Sequence, residues 1–136
     1  MATLKKFEEL DVWKDSIHLA KEIYLLTQQD LFKNDWSLKD QIRRAAVSVS
    51  NNIAEGFEYN NNNFFIKYLK IAKGSCGEVR SMIQLLHEIN YIDEIQKDAY
   101  LTIASELSNK IGGLLKYLNQ HKQNTLSNNK PVTHNP

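Results

Sequence analysis

The chain has 136 residues, 42% apolar and 24% charged, with 17 basic against 16 acidic side chains and a formal net charge of +1. These values suit one globular domain that buries its own core; they exclude a generally basic, nucleic-acid-coating protein and leave room for a local basic patch. A single cysteine, Cys76, excludes an internal disulfide and implies a reducing, cytoplasmic setting, and no apolar run suits a signal peptide or the roughly 20 residues of a membrane span.

Both prolines, Pro131 and Pro136, lie near the C-terminus, so nothing earlier is barred from helix by a missing N–H. No stretch alternates for long enough to be a strand. The first predicted helix runs from about Asp11 to Gln29. Val12, Leu19, Ile23 and Leu26 mark one side of it, and Trp13, Ile17, Ala20 and Tyr24 the adjoining side. A loop follows through residues 30–36. Ser37 is the expected N-cap of a second helix, with Asp40 where a capping-box acid would sit. That helix continues to about Glu55, with Gly56 as its terminator.

The second helix carries two aligned rows. Ile42, Ala45, Ala46, Val49 and Ile53 recur at spacings of three and four and form a packing face. Arg44, Ser48, Asn51 and Glu55 recur at the same spacings on a different face. Arg44 and Glu55 are too far apart to pair with each other. The row therefore reads either as a structural polar seam or as a small-ligand or partner site.

Asn60 to Asn63 suit a turn and a cap, not a helix interior. A third helix is expected from about Asn62 to Ile89, with Phe65, Tyr68, Leu69, Ala72, Cys76, Val79, Ile83 and Leu86 inside. Phe64, Ile71, Met82 and Leu85 widen its apolar arc beyond the roughly 100° that faces one core. An arc that wide predicts a second cover, another subunit, with these four residues at the interface. Gly74 and Gly77 each cost about 1 kcal/mol relative to Ala, and the expectation is that they admit another backbone closely. Asn90 and Tyr91 break the chain briefly. A fourth helix then runs from about Asp93 to Gln120, its stripe built from Tyr100, Ile103, Ala104, Leu107, Ile111, Leu114, Leu115 and Leu118. The sum is an all-α, antiparallel up-down-up-down four-helix bundle over residues 1–121. A polar tail, 122–136, has too little apolar surface to fold and is expected to be disordered.

Catalytic and metal chemistry is sparse. The di-iron bundle pattern needs two Glu-x-x-His units, and the chain offers Asp15-x-x-His18 once. His18, His87, His121 and His134 are scattered, so neither metal nor cofactor is expected. Cys76 sits on the apolar side of its helix and reads as a buried structural thiol. Lys73-Gly-Ser-Cys-Gly77 lacks both the order and the preceding strand of a phosphate loop. Basic residues carry more. Lys67, Lys70, Lys73 and Arg80 lie away from the apolar arc, and the stretch from Phe64 to Arg80 holds four positive charges against one negative, Glu78. Arg43 and Arg44 add a pair on the second helix. These six cations read either as phosphate contacts to RNA or DNA or as an ordinary solvated face.

Several separated motifs resemble one family. Gln41-Ile-Arg-Arg-Ala-Ala-Val-Ser-Val and Asn52-Ile-Ala-Glu-Gly56 are similar to the signature of the four-helix bundle proteins encoded in intervening sequences of bacterial 23S rRNA genes. Phe7-x-x-Leu10-x-Val-Trp-Lys14 resembles that family's opening. Tyr68-Leu-Lys-Ile-Ala-Lys-Gly-Ser75 followed by Glu78 resembles its third helix, and Leu86-His-Glu-Ile-Asn-Tyr-Ile92 its third turn. The resemblance spans about Phe7 to Leu118. It implies a homopentameric ring in the bacterial cytoplasm and no enzyme. The expectation is a scaffold or adaptor whose partner is itself and another protein. One branch resembles the accessory variability determinant proteins of diversity-generating retroelements, basic pentamers that bind nucleic acid and assist a reverse transcriptase. This chain departs from that branch in being nearly neutral. It also has Ser50 and Asn51 where the family often shows proline and serine, which predicts a smoother second helix.

Overall fold

The structure, a computed structural model, describes residues 4–127, with side chains as far as His121. Four helices carry it: α1 (Asp11–Leu26), α2 (Trp36–Glu58), α3 (Asn62–Glu88) and α4 (Glu94–Ser127). Short 3₁₀ turns, Phe7–Glu9 and Asp30–Phe32, precede α1 and α2. The most extensive packing is α2 on α3, followed by α3 on α4 and α1 on α2, with α1 on α4 closing the bundle. Leu19, Ile23, Ile42, Ile53, Leu69, Ile83, Leu107 and Ile111 are fully buried at its centre. They come from all four helices, and each recurs at the three- and four-residue spacing that turns one stripe inward.

Cross-helix pairs run in opposite senses. Gln41 meets Glu78 and Ser48 meets Ser75, while Gly56 lies against Tyr68. Cys76 meets Ala104 and Lys73 meets Gly112. Rising numbers on one helix face falling numbers on the next, the antiparallel register that short connections impose.

Helix ends differ from the expected ones for identifiable reasons. α1 stops at Leu26 rather than Gln29, and Thr27 closes it: its N–H and its hydroxyl both donate to the Ile23 carbonyl, at 3.0 and 2.8 Å. The N-cap of α2 is Asp35 and not Ser37: its Oδ1 accepts from the Leu38 amide at 3.3 Å, and the Tyr91 hydroxyl donates to its Oδ2 at 2.7 Å. The carboxylate is thus held from the α3–α4 turn as well. Asp40 is no capping acid; it accepts from Arg44 Nε at 2.8 Å.

Gly56 does not terminate α2, which runs through it to Glu58. The residue is buried, and a Cβ there would come within 2.6 Å of Tyr68 Cβ. Its role is close approach of two helices. Ser50 and Asn51 lie inside an unbroken helix. In the α2–α3 turn Asn60 takes φ 54° and Asn61 caps α3, its Oδ1 accepting from Phe64 N at 3.1 Å. Asn90 repeats the left-handed conformation, φ 64°, at the end of α3. α4 continues past the expected end at Gln120 to Ser127. The remainder of the expected tail, residues 128–136, lies outside the described residues.

Candidate functional site

α3 presents two different flanks. On the flank toward α2, Phe64, Ile71 and Leu85 of α3 and Ile89 just past its end are 44, 42, 46 and 41% exposed. The steps from 64 to 71 and from 71 to 85 are whole heptads, so these side chains form a row nearly parallel to the helix axis. Met82 does not belong to it. It is 6% exposed and part of the core, contrary to the interface expected from its wheel position. Register explains this: Gln41 lies level with Glu78, which puts Met82 level with the first turn of α2, where Leu38 packs on the core.

Polar bridges run beside the row. Gln41 Nε2 donates to Glu78 Oε2 at 3.4 Å, and Ser48 and Ser75 share a hydroxyl hydrogen bond of 2.9 Å. Asn52 Nδ2 donates to Ser48 Oγ at 2.9 Å. At the bundle end the Tyr59 ring stacks on Phe64 and on Tyr68, at centroid distances of 4.8 and 5.4 Å. The hydrogen bond that the Tyr68 hydroxyl donates to Tyr59, with burial and the Glu55 charge behind it, pushes that hydroxyl up to about 12.

The polar row on α2 is therefore divided. Arg44 pairs with Asp40, Ser48 bridges to α3, and Glu55 faces Tyr68. Arg44, Ser48 and Asn51 also line an open trough of about 550 Å³ on α2, together with Tyr24, Asp40 and Arg43. Glu55 is not among the lining residues.

The six cations do not form one surface. Arg43 is bound into the α1–α2 contact. Its Nε donates to Thr27 Oγ1 at 2.7 Å, and its guanidinium lies 4.3 Å over the Tyr24 ring. Lys67 Nζ lies 5.7 Å from the Tyr68 ring. Lys70 is exposed and points outward. Lys73 and Arg80 turn toward α4. Lys73 Cε lies 3.4 Å from where a Cβ on Gly112 would be, so it drapes over α4 at a residue with no side chain. Arg80 lines a groove of about 370 Å³ between α3 and α4, with Gly77, Ser81, Gln84, Leu101 and Ser105.

Among the described residues Lys70, Lys73 and Arg80 take no ion pair, in contrast to Arg44, Lys97 and Lys110. Among the described residues nothing outside the helix's own backbone approaches Gly74 or Gly77: a Cβ at either would find no such atom within 4 Å. The close backbone approach expected there does not occur among the described residues; Gly77 instead opens the groove. Ser81, Gln84 and Ser105 were missed by sequence reasoning. The available signal was the Gly77/Ser81/Gln84 spacing of four and three on the line beside Arg80.

Cys76 lies beneath this flank, fully buried, its Sγ donating to the Ala104 carbonyl at 3.1 Å. Burial pushes the thiol up to about 11 and outweighs the opposing charges of Arg80 and Lys73. Elsewhere, Lys110 Nζ donates to Asp15 Oδ2 at 2.6 Å in an α1–α4 groove that His18 and Glu106 also line. Among the described residues no three His, Cys, Asp or Glu side chains gather as a metal site, and no helix is long and apolar enough to cross a membrane.

The fold has a solved counterpart. A crystal structure from Bacteroides thetaiotaomicron VPI-5482, described as a protein of unknown function from the S23 ribosomal protein family, is 24% identical with a TM-score of 0.71. The match covers 77% of this chain and 95% of that one, and at this identity it speaks to the fold alone. A comparison with curated proteins finds no match. The family model described as 23S rRNA-intervening sequence protein matches residues 8–113, which takes in all of α1, α2 and α3 and most of α4. The chain belongs to the 23S rRNA-intervening sequence protein family.

Proposed function

We propose that the chain is a non-enzymatic scaffold or adaptor of the cytoplasm that works as a homo-oligomer, a pentameric ring in line with the family resemblance. The carrying observation is the exposed row Phe64, Ile71, Leu85 and Ile89. It spans about 37 Å from the first turn of α3 to just past its end at 1.5 Å per residue, with Glu78 between Ile71 and Leu85, and exposed apolar side chains gathered on one flank mark an interaction surface. Ring closure joins two different patches on each subunit. Ile17 and Tyr24, a heptad apart on α1 and 42 and 40% exposed, supply apolar surface for the second. The test is native mass spectrometry of the full chain and of Ile71→Glu. A multiple of the subunit mass that collapses to monomer in the variant, with helical circular dichroism retained, supports this reading. A wild-type monomer, or a variant that keeps its mass, overturns it.

A second reading is nucleic-acid binding. It is favoured by the α3 cations Lys70, Lys73 and Arg80, which are free of ion pairs among the described residues.

A further inference from the structure

We infer that the α3–α4 groove grips the phosphodiester backbone of a nucleic-acid strand without reading its bases, through Arg80, Lys73, Ser81, Gln84 and Ser105. This rests on the nucleic-acid reading and narrows it to one place. The groove holds about 370 Å³, and no carboxylate lines it. Arg80 sits in its wall beside two hydroxyls and one amide. Those are the side-chain types that hold phosphate oxygens. Lys73 reaches across to Gly112 and extends the positive charge along the same side. Lys70 stands one turn further toward the start of α3. From Lys70 to Arg80 the helix rises about 15 Å, room for several phosphates in line.

The same lining disfavours a protein partner. A protein interface is anchored by large apolar or aromatic side chains buried at its centre, and the groove offers Leu101 alone, itself packed against the core. No aromatic ring lines it, so bases find nothing to stack on, and binding is independent of sequence. Arg43 and Arg44 have no part: one is bound to Thr27 and Tyr24, the other to Asp40.

Fluorescence anisotropy of the full chain with a labelled single strand of roughly eight nucleotides, a length one small surface covers, tests this across a range of salt. Three phosphate contacts give a slope of log Kobs against log salt of about −2. The pair Lys73→Glu/Arg80→Glu weakens binding by at least about tenfold and flattens that slope. Gln84→Glu leaves every cation in place and keeps the side-chain shape, and still weakens binding severalfold. Arg44→Glu, outside the groove, changes affinity by less than about twofold. Equal losses from Arg44→Glu and the groove variants overturn the groove and leave nucleic-acid binding standing. No binding by the wild-type chain at low salt overturns both. Tighter capture of a labelled acidic peptide than of a strand of equal charge overturns the assignment to nucleic acid.

Discussion

The two flanks of α3 use one stretch of sequence in opposite ways. Toward α2 the helices close tightly: Gly56 lets Tyr68 in, and serine and amide bridges cross at Ser48–Ser75 and Gln41–Glu78. Outside that seam lies the apolar row. Toward α4, Gly77 meets nothing, Lys73 lies across Gly112, and a groove stays open. Glycine closes one flank and opens the other. A glycine in a helix is thus no sign of close packing by itself; what the neighbouring helix carries opposite it decides. Self-association suits the first flank, and a polyanion suits the second.

The sharpest way to break this contrast is a charge on either side of the core boundary. Met82→Glu buries a carboxylate with no partner in a position 6% exposed and is expected to cost about 4 kcal/mol. Thermal unfolding followed by circular dichroism will show it as a large fall in Tm. Leu85→Glu, three residues on and 46% exposed, is expected to change subunit stability by no more than about 0.5 kcal/mol while lowering the native mass. Similar thermal losses in the two variants would mean that the exposed row is part of the fold and not an interface.

Much of the fold was legible because each helix repeats its apolar residues at three- and four-residue spacings. The over-wide arc on α3 likewise pointed to Phe64, Ile71 and Leu85, all of them exposed in the bundle. Met82 was placed with them because it shares their side of the wheel. Periodicity fixes direction around an axis but not how far a neighbouring helix extends along it, and at Met82 the first turn of α2 is level. Helix ends were legible to within a few residues. Ser37 and Gly56 failed as signals because a better acceptor, Asp35, lay upstream, and because the contact with Tyr68 outweighed the glycine's tendency to stop a helix. The basic cluster was legible as composition on one helix. Its division was not, since the partners of Arg43 lie on α1 and the groove needs Leu101 and Ser105 from α4.

The glycines give a smaller and two-signed test. Gly56→Ala puts a Cβ 2.6 Å from Tyr68 Cβ, closer than real atoms approach, and the helices must move apart. A loss of about 1–3 kcal/mol is expected. Gly77→Ala meets nothing within 4 Å and trades a flexible residue for the best helix former, so a gain of up to about 1 kcal/mol is expected. Urea denaturation of both variants, compared at equal m-value, checks the signs. Two losses would mean that the α4 flank is closed in solution.

The smallest effects separate two adjacent arginines. Arg44 pairs with Asp40 one turn away, and the two side chains are 79 and 51% exposed. A pair so wet contributes little, so Arg44→Ala is expected to stay within about 0.5 kcal/mol of the wild type. Arg43 holds the Thr27 hydroxyl at 2.7 Å, and that hydroxyl in turn closes the end of α1 on the Ile23 carbonyl. Arg43→Ala is expected to cost about 1 kcal/mol, because it breaks the hydrogen bonds to the Thr27 hydroxyl and the Tyr24 carbonyl and the cation–aromatic contact with the Tyr24 ring. Chemical denaturation resolves that difference. The binding readout then turns stability into a statement about function. If Arg44→Ala weakens strand binding as much as Lys73→Ala does, positive charge acts over the whole surface, and the two flanks of α3 have no division of labour. If Lys73→Ala alone weakens it, the free cations of one groove do what their paired neighbours on α2 cannot.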